Sequence, residues 1–179
     1  MRLAAVAIPA LDVPILERRA RELAAREAEA ATQDQVQAVA FALCSLPCAV
    51  ASSAVSRAVL RLGRVVAVPL AGGGERLVAM VDEEPIPVGD LAGALAGHPR
   101  PPETLAGSPA LVLPLASGPV AVAVDGPLDL VEARLQQIPA NQAGAASDEA
   151  PRLAGRLEGG GSLLEVDWLR GWAARATRP

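Results

Sequence analysis

The chain has 179 residues, a formal net charge of −4 at pH 7, 51% hydrophobic residues and 20% charged residues. This length and composition indicate one globular domain or two small subdomains with a shared core, and they exclude a disordered chain. The acidic balance and an aromatic content of 2% argue against a nucleic-acid binder, which needs a basic surface and often stacking rings.

The first predicted element is an amphipathic helix, within an amino-terminal region that covers residues 1–38. Pro14 precedes a segment at 15–31 that is rich in Ala, Arg and Glu, and proline is common in the first turn of a helix. Leu16 and Leu23 fall on its apolar face. This face either packs on its own domain or docks a partner protein.

From residue 39 the pattern changes to short apolar runs bounded by glycine and proline, which is typical of strands and turns. The predicted strands are Val39–Cys44, Cys48–Ala51, Arg64–Pro69, Arg76–Val81, Ile86–Val88, Ala110–Leu115, Val120–Val124, Asp129–Leu135 and Leu163–Val166. So many short strands without crossover helices favour a small barrel or sandwich over a parallel sheet. We also predict a hairpin tip at 72–74, a connector between two subdomains at 97–109 and a mobile loop at 140–151.

The two cysteines, Cys44 and Cys48, provide no disulfide framework. On one straight strand their Cα atoms would lie roughly 13 Å apart, which is too far for a disulfide, although a turn at 45–47 would bring them closer. We expect reduced, buried thiols in a cytoplasmic protein. No run approaches the length of about 18 apolar residues that a membrane span requires, so no membrane insertion is expected.

No motif indicates catalysis, a metal or a cofactor. The single histidine, His98, is expected in a solvated loop, and no nucleophile elbow is present. The chain contains no lysine, which excludes a phosphate-loop lysine and a Schiff base. The run Asp82-Glu83-Glu84 is either a solvated turn or a cation ligand, and the turn is favoured because no second cluster of oxygen ligands lies nearby in sequence.

Short motifs follow one another along the predicted strands. They are Phe-Ala-Leu at 41–43, Cys-Ala-Val at 48–50, Val-Ser-Arg-Ala-Val-Leu-Arg at 55–61, Ile-Pro-Val-Gly-Asp-Leu at 86–91, Val-Ala-Val-Ala-Val-Asp at 120–125 and Leu-Leu-Glu-Val-Asp-Trp-Leu at 163–169. In this order they resemble the CheW family of bacterial chemotaxis adaptor proteins. Each motif alone is short, and it is the ordered set that carries the resemblance.

The resemblance implies a mainly β fold, with two small SH3-like five-stranded β-barrel subdomains at 39–172 and a tail at 173–179. It implies a cytoplasmic scaffold without a cofactor that couples a methyl-accepting chemoreceptor to a CheA-type histidine kinase in two-component signal transduction. Such adaptors bind by surface complementarity, in which apolar anchors supply affinity and charges at the rim select partners.

One functional motif departs from the family pattern. Counting back from Pro87, the family's Asn-Leu-Arg-Gly falls on 80–83, which contain Met-Val-Asp-Glu here. Asp82 thus replaces the arginine that the family uses for coupling. Either this is a diverged member that serves another signalling or polarity complex, for example with other CheW-like proteins, or the acidic turn is neutral. The predicted partner interface comprises Val55, Arg57, Asp82, Glu83, Glu84, Leu16 and Leu23.

Overall fold

The computed structural model describes residues 35–136 and 150–178. The helix predicted at 15–31, with Leu16 and Leu23, lies outside these residues, as does most of the loop predicted at 140–151. Strands dominate the described part of the chain, which confirms the mainly β prediction.

The strands are β1 (Gln35–Leu43), β2 (Leu46–Ala51), β3 (Arg57–Val59), β4 (Val65–Pro69), β5 (Glu75–Val81), β6 (Glu84–Asp90), β7 (Ala110–Leu115), β8 (Gly118–Ala123), β9 (Asp125–Gln136), β10 (Leu153–Leu157) and β11 (Ser162–Leu164). The helices are α1 (Leu91–Ala96), α2 (Pro102–Leu105) and α3 (Val166–Ala176). Every predicted strand overlaps an observed one, whereas β3, β10 and the three helices were not predicted. Helix α3 continues past residue 172, beyond the start of the expected tail.

Five strands close into a barrel in the order β1-β2-β11-β10-β9. β1 and β2 form an antiparallel hairpin, and β11 joins β2 in parallel. Small and branched residues fill the barrel, among them the buried Ala38, Ala49, Leu157 and Leu163. Because side chains alternate between the two faces of a strand, every second residue points into this interior. The first of the two predicted barrels is therefore confirmed.

The other strands form a six-stranded sheet in the order β3-β7-β8-β6-β5-β4. The second predicted five-stranded barrel is therefore found as a sheet of six strands. The glycine run at 72–74 forms the tip of the β4–β5 hairpin, as predicted. The expectation that 97–109 connects the two subdomains is wrong, since this segment joins β6 to β7 within the sheet. Its prolines start α2, and Leu105 in that helix is fully buried in the sheet's core.

A shared hydrophobic core joins the barrel to the sheet. Val39 and Phe41 of β1 meet Leu111 and Val122 of the sheet, and Leu169 of α3 packs in the same cluster. The core is almost entirely aliphatic because the chain has so few rings. No helix in the described part of the chain is long and apolar enough to span a membrane.

Candidate functional site

Three of the predicted interface residues meet at the hairpin between β5 and β6. Arg57 on β3 donates from Nη1 to Asp82 Oδ2 at 2.9 Å and from Nη2 to Glu84 Oε2 at 2.9 Å. These acids lie 25 and 27 residues from Arg57 in sequence. The fold therefore brings the 55–61 motif and the acidic run at 82–84 together in one composite surface.

The charges of this surface are only partly balanced. Hydrogen bonds to Glu84 and then to Asp82 raise the pKa of Arg57 above its ordinary value. The side chains of Asp82 and Glu84 are 72% and 64% exposed, so water screens both ion pairs and they contribute little to stability. Arg57 pairs with two of the three carboxylates at 82–84, so the surface keeps a formal charge of −2.

The acidic turn has a strained backbone. Asp82 and Glu83 have φ values of 48° and 68°, and they form the two-residue link between β5 and β6. Both central residues of a type I′ hairpin turn require positive φ, which normally favours Asn-Gly or Asp-Gly. The turn predicted at this position is therefore confirmed, and it exposes Glu83 at its tip.

Two exposed apolar side chains lie close in sequence to the charged residues of this surface. Leu60, three residues after Arg57, is 71% exposed, and Met80, two residues before Asp82, is 52% exposed. Neither was predicted from the sequence, because each belongs to a run that suits a buried strand equally well. Val55, which was also predicted in the interface, is half-buried and packs against the shared core.

A second ionic network links two of the motif acids. Arg100 donates to Asp90 Oδ1 from Nε at 2.9 Å and from Nη2 at 2.5 Å, and to Asp125 Oδ1 from Nη1 at 3.0 Å. Burial by itself lowers the pKa of Arg100, but the hydrogen bonds and charges of Asp90 and Asp125 more than offset this and raise it. Arg100 was not predicted from the sequence.

The same two acids hold three backbone segments in place. Asp90 caps α1 by accepting from the Gly93 N–H at 3.0 Å and also accepts from the Arg100 N–H at 2.9 Å. Asp125 accepts from the Cys44 N–H in the β1–β2 turn at 3.1 Å. A Cβ at Gly93 would collide with the Asp90 carboxylate, which accounts for glycine there. These motif acids therefore have a structural role.

The two thiols differ in their surroundings. Cys44 lies in the β1–β2 turn with a φ of 50° and is exposed, so the prediction that it is buried is wrong. The two-residue turn left this side chain outside the barrel. Cys48 is buried as predicted, and burial followed by the charge of Cys44 raises its pKa.

The structure gives no sign of a metal site among the residues that it describes. His98 is exposed in the segment after α1, as predicted. Within residues 35–136 and 150–178, no three His, Cys, Asp or Glu side chains are grouped so that they would hold a metal ion.

Comparisons with known proteins show similarity to solved structures. No family model matches the chain, and no curated protein matches it significantly. Among solved structures, the scaffolding protein TtCheW from Thermoanaerobacter tengcongensis is 14% identical, with a TM-score of 0.48, over 73% of this chain and 88% of that chain.

Proposed function

We propose that this chain is a non-catalytic adaptor of a bacterial chemosensory system, which binds a CheA-type histidine kinase, a chemoreceptor or both. The ordered motifs at 41–169 support a CheW-like domain at 39–172. The observation that carries the proposal is the contact of Arg57 with Asp82 and Glu84. It joins the 55–61 motif to the position where the family has its coupling arginine.

The composite surface suits binding rather than catalysis. Leu60 and Met80 offer exposed apolar area close in sequence to the charged residues. Apolar anchors supply most of the affinity of such interfaces, and charges at the rim select the partner. Because Asp82 and Glu83 replace the family's Arg-Gly, the partner's facing surface is expected to be basic. Such a partner would have changed its charge together with this chain.

The adaptor works in the cytoplasm in this proposal and needs no cofactor. Coupling arises when one molecule of the adaptor holds the kinase and the receptor at the same time, so that the receptor's state alters the kinase. In this proposal the segment at 15–31, which is predicted from the sequence to be a helix, supplies an additional arm for a partner through Leu16 and Leu23.

The test measures binding of the purified full chain to a CheA-type histidine kinase and to a methyl-accepting chemoreceptor from the same organism. We expect binding to at least one of them. Reversing two charges, Asp82→Arg with Glu83→Arg, should weaken it by about tenfold or more, because the rim then repels a basic partner. The matched control is Glu75→Arg with Glu158→Arg, at two exposed acids elsewhere.

The divergent acidic turn favours a second candidate, an adaptor in another signalling or polarity complex. In that case neither the kinase nor the receptor binds, but another CheW-like or signalling protein does, and the charge reversal weakens that complex instead. If the reversal leaves every complex that forms unchanged, the acidic turn is not the interface.

A further inference from the structure

A wide groove lies away from the acidic turn, between α3, the first half of β6 and the β7–β8 hairpin. Its volume is about 1020 Å³. This is at the upper end of the range of about 300–1,000 Å³ for small-molecule sites, so the groove has room for several residues of a peptide. It shares no residue with the surface formed by Arg57, Asp82 and Glu84.

Strand pairing explains why the groove is open. β6 pairs with β8 only at its end, from Val88 to Asp90, so the earlier part of β6 diverges from β8. Pro85 and Pro87 lie in this earlier part, which pairs with β5 but not with β8, and Pro114 lies opposite Pro119 near the β7–β8 turn. Proline has no N–H, so these positions offer an apolar floor without backbone donors.

Arginines supply the hydrogen-bond donors of the groove. Arg76, Arg170 and Arg178 line it, and no acidic residue does. In the part of the chain that the structure describes, none of the three forms an ion pair, in contrast to Arg57 and Arg100. The Nε atoms of Arg76 and Arg170 are also buried without a hydrogen-bond partner. A buried donor without an acceptor is costly, so these guanidinium groups favour a ligand that provides acceptors.

We propose that this groove binds an acidic protein segment that contains apolar residues between its carboxylates. Carboxylates accept two parallel hydrogen bonds from a guanidinium group, and proline rings pack against apolar side chains. A nucleic acid fits less well, because no aromatic ring lines the groove and the whole chain has a net charge of −4. The proposal does not depend on the adaptor function, since it concerns a different surface.

The test uses fluorescence anisotropy of the full chain with a labelled peptide of alternating Glu and Leu, and with its Gln-Leu counterpart. We expect the Glu peptide to bind about tenfold or more tightly than the Gln peptide, and added salt to reduce this difference. Arg76→Gln with Arg170→Gln should remove the preference. Arg61→Gln with Arg64→Gln makes the same charge change at exposed arginines outside the groove and should retain it.

Several outcomes would overturn the proposal. The first is that the wild-type chain does not bind the Glu peptide, or binds both peptides equally. The second is that the Arg61 and Arg64 variant loses the preference to the same extent as the groove variant, which would indicate a non-specific charge effect. The third is tighter binding of a single-stranded oligonucleotide of equal charge. The two peptides are compared on the unaltered chain, so this comparison tests the proposal even when the groove variant fails to fold.

Discussion

Asp90 and Asp125 belong to the sequence motifs that resemble those of the CheW family. In the structure both carboxylates bind backbone N–H groups and the side chain of Arg100. Asp90 ends β6, and its side chain is only 8% exposed. Its carboxylate neutralises Arg100 and caps α1. Positions of this kind stabilise a fold whichever partner its surface binds.

We predict that Asp90→Asn lowers the free energy of unfolding by about 3 kcal/mol, because it leaves Arg100 without the main partner of a partly buried ion pair. Urea denaturation of the variant and the wild type measures the change. Asp129→Asn, at an exposed position in β9, is the control and should change stability by less than about 0.5 kcal/mol. Equal effects of the two substitutions would contradict the role assigned to Asp90.

The cysteines should differ in reactivity. A raised pKa lowers the thiolate fraction of Cys48 at pH 8, and burial also limits access, so both factors slow its alkylation. Cys44 is exposed and should react first with iodoacetamide, as followed by mass spectrometry of the native protein. Cys44→Ser and Cys48→Ser identify the two sites. Faster alkylation of Cys48 would mean that the β1–β2 turn is built differently.

The two-residue turn of the β5–β6 hairpin has positive φ at both positions, although neither residue is a glycine. Replacing Glu83 with glycine should stabilise the protein by about 1 kcal/mol, because a side chain at positive φ costs more than the flexibility that glycine adds. Thermal and urea unfolding measure the change. Glu75→Gly, at the exposed start of β5, is the matched control and should give no stabilisation. A loss of stability in Glu83→Gly would contradict the positive φ.

The strands were predictable as short apolar runs bounded by glycine and proline, and β7 is such a run because it is buried on both faces rather than on alternate residues. β7 was predicted with its observed bounds, Ala110–Leu115. The three-residue strand β3 is too short to show a period. β10 contains Gly155, where a Cβ would collide with Leu135, so a residue required by close packing appeared as a strand breaker.

Helix α3 was missed because its first residues continue the apolar run of β11, and Gly171 interrupts its helical pattern. The candidate site was predictable only as separate segments. Arg57 and the acidic turn were each predicted, but their contact depends on how the whole sheet brings its edge strand β3 to the β5–β6 hairpin, which no local pattern encodes. Arg100 and the groove arginines had no signal in the sequence, since the acids that Arg100 contacts and the elements that form the groove come from distant parts of the chain.

Helix α3 packs in the hydrophobic core that the barrel and the sheet share. Trp168, Leu169 and Ala173 of this helix are buried in the shared core, in the same cluster as residues of β1, β7 and β8. The ring of Trp172 lies over Gly89, where a Cβ would be 3.1 Å away. No side chain larger than glycine fits there without moving the ring, so the helix and β6 approach each other closely.

We therefore predict that the described domain unfolds in a single step. Leu157→Ala removes a buried side chain from the barrel, and Leu105→Ala removes one from the sheet's own core. Each should cost about 2–5 kcal/mol. Because the tryptophans of α3 lie in the shared core, both substitutions should shift the fluorescence transition and the far-UV circular dichroism transition together. Separate transitions, with only one moved by each substitution, would show that the barrel and the sheet unfold independently.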